Sequence, residues 1–289
     1  MTSTVCSYGR ATARLFISAL VFSVLSCPGM GAPRTQKAQA HAGGGGIPPA
    51  SSKASPDILG IKLGVSTADD VHRILKAFPL TEERNQVIGR SALEPQAMVP
   101  GQYLVAIHAS SPRPCPSGCE RIDVFFAPPP NHSVALSLYR DTSFTAGPSF
   151  AVLLQSLVAK YGEPGFQNRY SDQQITLGWG WSADGGAVRL TAQHPCWNPR
   201  GLDDNSNATF YAARDIDSAA AALKAGCAAA VYVVVQLQNG VVIDFTTNAV
   251  NESGIYNAFT RTAQYAADYI AGQEKQQRDK AAKTPAPRL

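Results

Sequence analysis

The chain has 289 residues, 45% of them apolar and 16% charged, with a formal charge of +4. That excess belongs to the first forty residues, where Arg10, Arg14, Arg34 and Lys37 have no acid beside them; from His41 onward bases and acids balance. No clustered basic face remains, which argues against a nucleic-acid binder, and after the first thirty residues no apolar run is long enough to span a bilayer.

Residues 1–26 read as a signal peptide: a positive stretch with Arg10 and Arg14, then the apolar run Leu15–Ser26, too short for a span but of the length of an export signal. Two exits follow. Val24-Leu25-Ser26-Cys27 resembles a lipobox that would make Cys27 the acylated end of a lipoprotein, while Ala38-Gln39-Ala40 is a small-x-small cleavage site. Residues 27–56 are rich in Gly, Pro and Ala without apolar periodicity, a flexible tether reaching about 30 Å as a coil. Its glycines form no phosphate loop, because no strand precedes them and no Lys-Ser/Thr follows.

Ser66, with Asp69 three residues on, predicts a helix start. Val71, Ile74, Leu75 and Phe78 form one apolar stripe, and Pro79 stops it. Alternation predicts strands at 102–109, 121–127 and 133–140. A second helix starts at Ser149, carries Leu154, Leu157, Val158 and Tyr161, and ends at Gly162. Cap and stripe match the first helix at one offset, a candidate internal duplication. Ile175, Leu177, Trp179 and Trp181 alternate with Gln174, Thr176, Gly178 and Gly180 as a half-buried strand, and another runs over 187–193. After a polar insertion come an Ala-rich helix (216–225) and two apolar runs joined by Asn239-Gly240, the signature of a type I′ hairpin. A last helix spans 252–271, with Ile255, Phe259, Ala263, Ala266 and Ile270 on one face. The residues from 273 to 289 read as a disordered tail.

The implied fold class is α+β, an antiparallel sheet covered by helices, in two tandem helix-plus-sheet modules over 57–145 and 146–272. In an oxidising compartment Cys115, Cys119, Cys196 and Cys227 suggest two disulfides. Four cysteines allow three pairings; spacing favours Cys115–Cys119 and Cys196–Cys227, the second worth about 3–4 kcal/mol. A zinc knuckle fits poorly, because one C-x3-C pair stands where two C-x2-C pairs are usual.

Gly60-Ile61-Lys62-Leu63-Gly64-Val65-Ser66-Thr67 followed by Val71 resembles the opening of small outer-membrane lipoproteins of the SmpA/OmlA (BamE) type. Lys160-Tyr161-Gly162-Glu163-Pro164 is similar to the Gly-x-Pro that closes such helices, although the first helix has Phe78-Pro79 there. The two-module arrangement also resembles β-lactamase-inhibitor-like proteins. The resemblance covers some twenty residues in each half and implies a binding or scaffolding module of the envelope.

No residue set stands out as catalytic, cofactor-binding or metal-ligating. Gly64-Val65-Ser66-Thr67-Ala68 lacks the last glycine of a nucleophile elbow. Asp203-x-Asn205-x-Asn207 opens like a calcium loop but has Ala208 and Arg214 where Gly and Glu are needed. His72, His108, His132 and His194 are scattered, none with an acidic companion evident in sequence. Trp179 and Trp181 share a strand face that offers either a stacking platform or core packing under a helix. The leading expectation is therefore an exported, periplasmic or outer-membrane-anchored, non-enzymatic protein that binds an envelope protein partner by a sheet face or strand edge. It needs no cofactor and meets membrane only through a lipid. The alternatives are a periplasmic hydrolase assembled from residues such as Glu163, Asp244 and His194, and a small-ligand or metal-binding protein.

Overall fold

The computed structural model describes residues 56–88, 101–191, 194–196 and 216–284. Cys27, the leader, the tether to residue 55 and the Asp203–Asn207 segment lie outside the described residues. A small hairpin, β1 (Asp57–Ile58) and β2 (Ile61–Lys62), precedes α1 (Ala68–Leu75). Then come β3 (Thr81–Ile88), β4 (Gln102–Ser110), β5 (Glu120–Phe126) and β6 (Ala135–Ser143). After α2 (Phe150–Tyr161) follow β7 (Phe166–Ser171), β8 (Gln174–Trp181), β9 (Ala187–Val188), α3 (Ile216–Lys224), β10 (Ala229–Gln238), β11 (Val241–Asn251) and α4 (Glu252–Lys283).

Nine strands form one antiparallel sheet in the order β3-β4-β5-β6-β11-β10-β8-β7, with β9 beside β7 on the outer edge of β8. The fold is α+β. Helix α1 is followed by the meander β3-β4-β5-β6, and α2 by the antiparallel set β7-β8-β10-β11 with β9 and α3 inserted between β8 and β10; the two sets join where β6 pairs with β11. The sheet is thus continuous across residue 145.

Alternation gives the sheet two faces. On the first lie Ile107, Val124, Leu138, Ala249, Val231 and Trp179, which follow one another across six strands. They pack with Val71 and Leu75 of α1 and with Leu153, Leu154, Leu157 and Tyr161 of α2. On the second face α4 crosses one end of the sheet, where Ile255, Ala258 and Phe259 share a core with Leu136, Ala230, Val250 and α3. Farther along, Ala266 and Tyr265 meet Tyr103 on β4.

Several local expectations shift. The cap of α1 is Thr67, not Ser66: its hydroxyl accepts from Asp70 N–H while Asp70 accepts from Thr67 N–H, a reciprocal box. The Ser66 hydroxyl instead accepts from Lys62 N–H and steadies the preceding turn. Ser149 does cap α2, so the two helices align at an offset one residue shorter than the sequence suggests. Strand β8 is buried on both faces, not one. Gly180 makes room for Leu190, whose Cδ2 lies 2.8 Å from where a Cβ would stand. Helix α4 passes through Gly272 to Lys283, correcting the reading of residues 273 onward as a disordered tail. Glu274, Lys275, Gln276, Gln277, Arg278 and Ala281 are strong helix formers, and a 3.6 Å Arg278–Glu274 pair adds i,i+4 support. The predicted hairpin stands, with Asn239 and Gly240 both at positive φ.

Both bridges are present in the pairing that spacing favoured. Cys115–Cys119 closes the Pro-rich loop before β5, and Cys196–Cys227 ties the segment after β9 to the start of β10.

Candidate functional site: a polar row across the second face

Beyond the end covered by α4, the second face changes character. Glu83, His108, Asp123, Tyr139, Asn248, Tyr232, Gly178 and Phe166 are successive cross-strand partners, so one row crosses eight strands. The next row brings Ser110, Arg121, Asp141, Thr246, Val234 and Thr176 together in the same way. Directly paired side chains lie about 5 Å apart at Cβ, so each row is a chain of contacts.

Asp123 is fully buried, and a carboxylate in that position requires charged or donor partners. It has two. His108 Nδ1 lies 2.6 Å from Oδ1, and Arg121 Nε donates to Oδ1 at 3.4 Å while standing 3.1 Å from Oδ2. Sequence reading gave the histidines no acidic companion. The structure corrects this for His108 and also for His72, whose Nδ1 lies 2.6 Å from Glu82. Both pairs form between elements whose register the sequence does not print.

Thr246 donates to Asp141 at 3.0 Å. Asp244, one strand pair farther on, has its carboxyl pushed up to about 6, first by burial and then by the charge of Asp141. The Tyr139 hydroxyl is likewise raised, mainly by burial and then by Asp141. At the middle of the first row Asn248 is 1% exposed, and among the described residues neither its Oδ1 nor its Nδ2 has a hydrogen-bond partner. Glu83, Asp123, Asp141 and Asp244 thus set four carboxylates against Arg121 and the titratable His108 over two rows and their margin. The accessible carboxylates are Glu83, Asp141 and Asp244, and the imidazole of the first row is held by a buried acid.

Of the residues singled out in sequence, Asp244 stands at the margin of these rows, and the two tryptophans, Glu163 and His194 lie elsewhere. Trp179 is 3% exposed, its Nε1 donates to Gly162 O at 2.8 Å, and its ring packs 5.4 Å from that of Tyr161. It belongs to the core beneath α2. Trp181 is partly buried and leans on the same Tyr161 ring, 6.2 Å away. Glu163 follows α2, Asp244 stands near the β10–β11 turn, and His194 lies beside the Cys196–Cys227 bridge. Among the described residues no hydrogen bond or ion pair joins any two of these three.

The sheet edges are guarded. β3 carries Glu82, Glu83 and Arg84 and a register shift at Asn85–Gln86; β7 has only six residues, with Arg169 at another shift. Charges and irregularities of this kind discourage strand addition. No family model matches the chain, and neither curated proteins nor solved structures give a match.

Proposed function

We propose that this protein is a non-enzymatic binding module of the cell envelope, exported by its leader and held near a membrane by lipid on Cys27. Its second sheet face receives a protein partner of basic character. The acidic double row carries this reading: Glu83, Asp141 and Asp244, exposed or half-buried along it, attract lysine and arginine side chains and steer their approach. Guarded edges favour the face over strand addition, and two disulfides suit an oxidising compartment.

The test places a photo-crosslinking side chain at Thr246 in cells and repeats the capture with Asp141→Lys and Asp244→Lys together. The expected result is one basic partner, its recovery lost in the doubly reversed variant and weakened by salt. Equal recovery from both proteins overturns the reading.

One observation favours a second function, hydrolysis. A buried Asp123 holding the His108 ring is how a general base is oriented. A hydrolase would cleave ester or amide probes with a rate that collapses in His108→Gln; a binder would show no such rate.

A further inference from the structure

One corner of the molecule holds metal-ligand chemistry outside the polar row. His194, Cys196 and Cys227 each bring a ligand atom within 4.8 Å of the others. Both cysteines are fully buried and joined as a disulfide, with their Cα atoms 6.0 Å apart. The backbone holds all three in place: His194 N–H donates to Thr191 O at 3.0 Å and Cys227 N–H to Ala222 O at 3.0 Å. His194 Nδ1 accepts from Cys196 N–H at 3.2 Å. An accepting Nδ1 is the unprotonated nitrogen, the form that ligates metal; its lone pair is held by the Cys196 N–H and turns to an ion by giving up that bond.

We propose that opening the Cys196–Cys227 bridge turns this corner into a zinc-type site with His194 Nδ1 and the two thiolates as ligands. A dithiol reductant supplies two electrons and two protons. The S–S bond breaks, each cysteine sulfur takes one proton, and the reductant becomes a cyclic disulfide. A divalent ion then binds both sulfurs and displaces those two protons. With zinc–sulfur bonds of the usual length, two thiolates on a tetrahedral ion stand about 3.8 Å apart. The two sulfurs must part to that separation once the bridge opens, a change that rotation of the cysteine side chains on Cα atoms 6.0 Å apart can supply. Three protein ligands leave the fourth position of the ion for water or a ligand. The oxidised corner is a staple, and the reduced corner is a metal site.

The experiment uses the full-length protein in a Cys6→Ser, Cys27→Ser, Cys115→Ser, Cys119→Ser background, so that only this bridge contributes thiols. It is treated with dithiothreitol without denaturant, desalted without oxygen and titrated with cobalt(II), then with zinc(II) in competition. The expected result is two titratable thiols, retained circular dichroism, and a single cobalt ion with thiolate-to-metal charge-transfer absorption that zinc removes. His194→Ala should weaken binding by at least about 10-fold, since loss of even an outer-shell partner costs that much. Four outcomes overturn the proposal: a bridge that opens only when the chain unfolds, reduced protein without the charge-transfer band, equal affinity in His194→Ala, or equal binding by oxidised protein.

Discussion

The two faces of the sheet are made by the same strands, yet they obey different rules. Beneath α1 and α2 the first face presents Ile107, Val124, Leu138, Val231 and Trp179, residues that ask only to leave water. The second face, once past α4, places a buried carboxylate, a histidine, two tyrosines and an unpaired amide in one row. Apolar burial contributes stability in proportion to area; buried polar groups cost stability unless every atom is paired. The first face stabilises the sheet, and the second holds polarity at a cost that function can explain.

Substitution at Trp179 should reveal the first face most strongly. Trp179→Ala removes the ring packed on Tyr161 and is expected to cost about 3–5 kcal/mol in chemical denaturation. A loss below about 1 kcal/mol would mean that this face is not the main core. On the second face the sign should reverse. Asn248→Leu replaces an amide with two unpaired ends by an apolar group of similar size, and a gain of about 1 kcal/mol is expected. A destabilised variant would show that Asn248 is satisfied in solution.

The smallest effect concerns pH. The Asp244 carboxyl is pushed up to about 6 in the fold, above its ordinary value of 3.8, so the native state binds its proton more tightly than the unfolded chain does. Its contribution is present at pH below about 4 and is lost as pH rises toward 6. The group is half exposed, so solvent screening limits the change to about 1 kcal/mol. Melting temperature should therefore fall less steeply between these pH values in Asp244→Asn than in the parent protein.

Much of the fold is legible in the chain because its signals are local. Asn239-Gly240 names its own turn, and the stripes of α1 and α2 name their buried sides. β3 and β7 escape such reading because Thr-Glu-Glu-Arg-Asn-Gln and Phe-Gln-Asn-Arg-Tyr-Ser are edge strands with no alternation to report. The candidate site escapes for a different reason. His108 and Asp123 meet only because β4 and β5 pair in one register, and Tyr139 reaches Asn248 only because β6 finds β11. The nearest sequence signal is a strand such as Arg121–Phe126, in which Asp123 interrupts the apolar positions.

The seam between β6 and β11 also sets a schedule. Ser137 pairs with Val250, and Ser143 with Asp244, more than a hundred residues later in the chain. Until the final strand has emerged from the ribosome, β6 is an open border, and the half-sheet behind it has nothing to close against. Contacts so distant in sequence form late and slowly. The polypeptide therefore stays threadable for most of its synthesis, and a chain cut before Val241 should accumulate as protease-sensitive material.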